Sequence, residues 1–170
     1  MSAEGVSPKK KKRKGTKDER LKRSQILLDV TRRCASLANI QDVWKELVSM
    51  TSYELDCDRG TLFLNDTETN ELFSFVAQGN LTREIRILND SGIAGHVYQT
   101  GQAKISDDPY NDPLFNHEVD QRTGYTTRNV ACVPVRTMAG DKIGVMQTLN
   151  KRAGEFNLDD LELLEDMTTQ

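Results

Sequence analysis

The side chains able to carry covalent or metal chemistry are few and far apart. His96 sits in GIAGHV and His117 in a long polar stretch. Neither lies beside a plausible nucleophile or at carboxylate-rich metal spacing. The three cysteines, Cys34, Cys57 and Cys132, form no CxxC or Cys/His cluster, which fits a reducing compartment and argues against a metal site. Catalysis is therefore not expected of this chain. The other conspicuous chemistry is electrostatic: SPKKKKRKG sets Lys9 to Lys12, Arg13 and Lys14 side by side, a block that repels itself and stays solvated. Such a block suits nuclear import, nucleic-acid phosphates or an anionic membrane surface. No alternating aromatics and no nucleic-acid module follow it, so a disordered arm is the favoured reading.

The elements that must position any site come next. At 170 residues the chain has room for one domain with a modest core. Its net charge of −3 conceals an asymmetry: residues 1–23 hold ten bases against three acids, leaving thirteen bases against twenty-three acids in the rest. The expected division is a basic disordered arm over 1–23 and a globular domain over 24–170. No apolar stretch approaches the length of a membrane span and no signal peptide opens the chain, so a soluble cytoplasmic protein is expected.

Ile26, Leu27, Val30, Cys34 and Leu37 recur at helical steps, with KDERLKRS as a polar extension and Asn39 as an interruption. Ile40, Val43, Trp44, Leu47, Val48 and Leu55 form a second stripe, which makes Trp44 a core residue. From Arg59 the period changes: TLFLN, the turn-rich DTETN and ELFSFVAQ read as a hairpin, and EIRIL over 84–88 as a third strand. SGIAGHVYQTG reads as a short helix capped by Ser91 and closed by Gly101. The polar stretch Ser106 to Arg128 holds a short helix around FNHEVDQRTG and is the natural place for a lid. RNVACVPVR, a turn at MAGDK and IGVMQTLN give a second hairpin, and Leu158, Leu161 and Leu164 open a helix that the chain end cuts short. Helices at both ends of hairpin-connected strands predict an α+β fold: an antiparallel sheet with helices on one face and a loop-covered pocket on the other.

The segments DRGTLFLND, EIRI, GIAGHVYQTGQ, DPLFNHEVDQRTGYTTRNVACVPV and IGVMQTLNK resemble the GAF domains of cyclic-nucleotide phosphodiesterases and bacterial adenylate cyclases. The resemblance covers residues 40–170 in order, with near-continuous spacing. The family's Asn-Lys, Phe and Asp-Glu signature is kept at Asn150, Lys151, Phe156 and Asp160, with Leu161 in place of the Glu. It implies that Lys151 and Asp160 pair at the pocket's edge without touching a ligand.

The resemblance also implies a regulatory domain that binds cAMP or cGMP, uses no other cofactor, and controls an attached phosphodiesterase or cyclase. Thr61 matches a hydroxyl offered to the purine, and Thr123 and Thr127 match threonines that reach phosphate and ribose from the lid. Ile93 and Ala94 match residues whose backbone approaches the cyclic phosphate at a helix N-terminus, with Gly92 and Gly95 allowing that approach. Asn116 and Gln147 match positions lining the pocket. Gln78 departs from the acid found in cGMP-preferring copies, and ISDDPYNDP is one residue longer, which together lean to cAMP. Closure of a lid over 106–127 would shift the terminal helices, through which a homodimer is expected. The alternatives are a ligand-free dimerisation module and, behind it, a haem sensor using His96 or His117. Bilin attachment and methionine-sulfoxide reduction lack their cysteines.

Overall fold

The computed structural model describes residues 15–79 and 84–169. The basic block at 9–14 therefore lies outside the described residues. The first helix, α1 (Lys17–Ala35), starts at the N-cap Thr16, whose hydroxyl accepts from the Glu19 N–H at 3.2 Å while the Glu19 carboxylate takes the Thr16 N–H at 2.6 Å. The boundary expected after residue 23 falls inside this helix, because the polar run KDERLKRS has good helix formers and a complete cap. Arg23 is held by Glu162 and Asp166. Asn39 does interrupt the helical pattern, as the N-cap of α2 (Ile40–Glu54), where it accepts from the Asp42 N–H at 2.9 Å.

Six strands follow among the described residues: β1 (Cys57–Asp66), β2 (Glu71–Ala77), β3 (Arg86–Leu88), β4 (Lys104–Ser106), β5 (Val130–Arg136) and β6 (Lys142–Lys151). They form one antiparallel sheet in the order β3-β2-β1-β6-β5-β4. Both hairpins read from the sequence are present. The third strand is shorter than expected, β4 falls just ahead of the polar stretch where no strand was expected, and a 3-10 turn over Pro109–Asn111 lies within that stretch. Their few residues carry no readable period. The remaining helices are α3 (Gly92–Thr100), α4 (His117–Thr123) and α5 (Leu158–Thr168).

Strand alternation divides the core in two. On one face Leu62, Ala131, Val133, Val135 and Met146 pack with Val30, Leu47, Val48, Leu164 and Met167 of α1, α2 and α5. On the other, Phe63, Leu72, Val130, Cys132 and Val145 pack with Ile93, Ala94 and Val97 of α3. The site is built on this second face, beneath the segment that runs from β4 to β5.

Candidate ligand-binding site

Under that segment lies a cavity of about 60 Å³ lined by Phe63, Ile87, Gly92, Ile93, Ala94, Phe115, Asn116, Val119, Asp120, Val130, Gln147 and Leu149. Its floor is the sheet, one wall is the first turn of α3, and its roof is α4 with the residues before it. Outside it, a cleft of about 740 Å³ shares Ile87, Gly92, Phe115 and Asn116 with the cavity. Five of the residues singled out from the sequence therefore meet around one space: Gly92, Ile93, Ala94, Asn116 and Gln147.

The wall at α3 follows from its local chemistry. Ser91 is the N-cap but makes no side-chain bond to its own helix; its hydroxyl instead accepts from the Asn116 amide at 3.2 Å. The first-turn N–H groups of Ile93 and Ala94 have no intrahelical acceptor and carry the positive end of the helix dipole. Gly92 has φ +71°, and a Cβ there would sit 3.2 Å from that of Asn116, so the α3–α4 contact itself requires glycine. Gly95 plays a different part from the one expected: a Cβ would lie 2.6 Å from the Asp90 carbonyl carbon, so it packs the helix against the turn before it.

The roof is organised by Asp120, a buried carboxylate that the sequence reading did not single out. It accepts from the Tyr110 hydroxyl at 2.8 Å, from the Thr127 N–H at 2.7 Å and from the Thr127 hydroxyl at 2.8 Å. Thr127 is thus buried beside the cavity with its hydroxyl engaged. Thr123 is exposed at the end of α4 and donates to the Val119 carbonyl at 2.8 Å, outside the cavity lining. The signal for Asp120 was available as one acid on the inner side of a short helix, but only the fold reveals which side is inner.

Thr61 is buried and paired in register with Gln147, so both stand on the cavity face of neighbouring strands. Gln78 does not. Its Oε1 accepts from the Ser52 hydroxyl of α2 and from the Gly60 N–H at 2.7 Å, which puts it on the helical side of the sheet. The cause is an irregularity in β2: Leu62 pairs with Val76 but Phe63 with Ser74, so Phe75 is an extra residue and the alternation changes phase beyond it.

The site's edges are pinned. Asn150, at φ +57°, accepts from the Arg128 N–H at 2.6 Å and the Asn129 N–H at 3.3 Å, and donates to the Tyr125 hydroxyl and the Thr126 carbonyl, each at 2.9 Å. Tyr125 in turn donates to Asp58 at 2.7 Å, and the Arg59 guanidinium lies 3.9 Å from its ring centre. Burial first, and then the hydrogen bond to Asp58, raise the Tyr125 phenol above its ordinary range. Lys151 pairs with Asp160 at the start of α5, as expected, and with side chains 16% and 14% exposed the pair is far from an ordinary surface contact.

His96 is not among the cavity-lining residues, and His117 faces the outer cleft in an aromatic cluster with Tyr110 and Phe115. Cys57 and Cys132 are buried on opposite faces of the sheet. No group of three or more His, Cys, Asp or Glu among the described residues is placed to hold a metal ion, and no described helix is long and apolar enough to cross a membrane.

An antiparallel sheet between a helical layer on one face and a lidded cavity on the other defines the class of α+β domain to which the chain belongs. Comparison with known proteins gives the family: a profile of the GAF domain matches residues 39–170, and the chain belongs to that family. It is 30% identical over 153 residues to the dual 3′,5′-cyclic-AMP and -GMP phosphodiesterase 11 of Drosophila melanogaster, covering 81% of this chain and 10% of that protein. It is 31% identical over 157 residues to a probable 3′,5′-cyclic phosphodiesterase pde-5 of Caenorhabditis elegans, covering 85% of this chain and 21% of the relative. The chain thus spans only a small part of these relatives.

Among solved structures, the GAF domain of a phosphoenolpyruvate-protein phosphotransferase from Coxiella burnetii superposes with TM-score 0.76 at 18% identity, covering 84% of this chain and 86% of that one. A free methionine-R-sulfoxide reductase from Neisseria meningitidis superposes with TM-score 0.71 at 18% identity, covering 91% and 90%. The fold therefore houses enzymes as well as regulatory domains.

Proposed function

We propose that this chain is a regulatory GAF domain that binds a 3′,5′-cyclic nucleotide between sheet and lid and reports occupancy through its terminal helices. The observation that carries the reading is the convergence of Asn116, Asp120, Gln147 and the N-terminal turn of α3 on one cavity. An anionic phosphate suits the α3 N–H groups, and the carboxylate and amides suit base and ribose edges. The names of the two curated relatives supply the ligand class.

A mononucleotide needs a pocket of roughly 300 Å³ or more, so binding must displace the roof, and differential affinity for the displaced form drives the change. The lean to cAMP rested on the longer ISDDPYNDP loop and on Gln78, whose side chain is committed to Ser52 and Gly60; discrimination by side chain passes instead to Gln147 and Asp120. An attached phosphodiesterase or cyclase is the proposed output, and a homodimer through α1 and α5 the proposed assembly, with Leu21 and Leu28 exposed one heptad apart on α1.

Calorimetric titration with cAMP and with cGMP tests the proposal. A saturable heat with either, accompanied by a rise in melting temperature, is expected. No heat and no thermal shift at millimolar ligand would leave a ligand-free dimerisation module.

A further inference from the structure

The segment from β4 to β5 is held very unevenly. At its near root, Lys104 pairs with Asp112 at 3.1 Å. At its far root, Asn150, Asp58 and Arg59 grip residues 125–129 through five hydrogen bonds and a stacked guanidinium. Between the roots, Asp120 ties the middle of α4 to Tyr110 and Thr127, both within the same segment.

Residues 113–119 are different. The Leu114 and Phe115 N–H groups turn back to Asp112, and the Asn116 side-chain oxygen accepts from Glu118 next door. Among the described residues, their one hydrogen bond to the body of the domain is Asn116 to Ser91 at 3.2 Å. Phe115 and Asn116 are also part of the wall shared by the inner cavity and the outer cleft.

We infer that the lid opens at residues 113–119, hinged at Asp112 and Asp120, with the Asn116–Ser91 contact as its latch and Phe115 as its plug, so that a ligand reaches the cavity from the cleft beside β3 and α3. Opening this stretch breaks one inter-element hydrogen bond, unwinds the exposed first turn of α4 with its Thr123–Val119 contact and exposes a few apolar side chains, whereas opening at Tyr125 breaks a buried network. Local opening follows the sparsest bonding. Swinging out 113–119 also merges the 60 Å³ cavity with the 740 Å³ cleft. The inference takes its ligand from the cyclic-nucleotide reading, but the opening itself does not depend on it.

The test is a reversible staple. In a Cys34→Ser background, with Cys57 and Cys132 protected by burial, the pair Ser91→Cys and Asn116→Cys is compared oxidised and reduced. The Ile93 and Ala94 N–H groups have no intrahelical acceptor, so their hydrogen exchange reads solvent access to the cavity.

Oxidation should slow that exchange about tenfold or more and slow association of radiolabelled cAMP or cGMP at least as much, with reductant restoring both. Unchanged exchange and unchanged association would overturn the inference. A wild-type protein that binds neither nucleotide, beside a staple variant that still shows oxidation-dependent exchange, would refute the ligand and leave the gate standing. Should the disulfide fail to form, Phe115→Ala must accelerate exchange at Ile93 and Ala94 while Tyr125→Phe leaves it unaltered; equal acceleration by both would overturn the hinge assignment.

Discussion

Asp120 and Gln78 show how strongly a residue's role depends on which face it occupies. Asp120 takes three hydrogen bonds while nearly excluded from water, so Thr127→Val keeps the volume, removes one donor from a buried carboxylate and should cost about 1–3 kcal/mol in urea unfolding. Gln78→Leu strands the Gly60 N–H, while the Ser52 hydroxyl keeps the Val48 carbonyl, and should destabilise by a similar amount, about 1–3 kcal/mol. It should leave the ratio of cAMP to cGMP affinity unchanged, since the side chain faces α2. Gln147→Glu changes an amide on the cavity floor to a charge and should move that ratio by about tenfold, equivalent to about 1.4 kcal/mol. Competition binding with both nucleotides separates the two variants; a ratio that follows Gln78 instead of Gln147 would refute the placement.

Individual elements were legible in the sequence where apolar periodicity ran long. α2, the two hairpins and α3 with its αL glycine at Gly101 lie where their patterns put them. What the pattern could not carry was β4, three residues long, and the irregularity at Phe75, where one inserted residue moves Gln78 across the sheet without altering composition or spacing. Asp120 was hidden for a related reason: a seven-residue helix is too short for its inner face to be read from its own sequence. The lid's far root makes a pH prediction. Burial and Asp58 favour the neutral Tyr125 phenol in the folded protein, so its contribution is fully present below the unfolded value near 10 and is lost as pH rises above it. Thermal melts from pH 8 to 11 should fall more steeply for the wild type than for Tyr125→Phe. At the α5 end, Lys151→Met removes the partner of a largely enclosed carboxylate and should cost about 1–3 kcal/mol, between exposed and fully buried ion pairs, measured by the same unfolding experiment.

At the scale of the whole molecule, the proposed assembly runs through the helical layer. If α1 and α5 pair with a second copy, Leu21→Glu combined with Leu28→Glu should convert a dimer to a monomer in light scattering while leaving the domain folded, since both side chains are exposed in the single chain. A persistent dimer would place the interface elsewhere. The sheet between the two cores is one strand thick, and β6 lies near its middle. Gln147 on that strand borders the cavity, and its neighbours Met146 and Thr148 are buried on the other side, where Met146 joins the core shared with α5. The floor of the chamber is therefore also the ceiling of the helical layer. A ligand that presses on β6 has no relay to cross: its effect reaches the helices within the thickness of a single backbone, and side chains replaced on either surface of that strand will be felt on both.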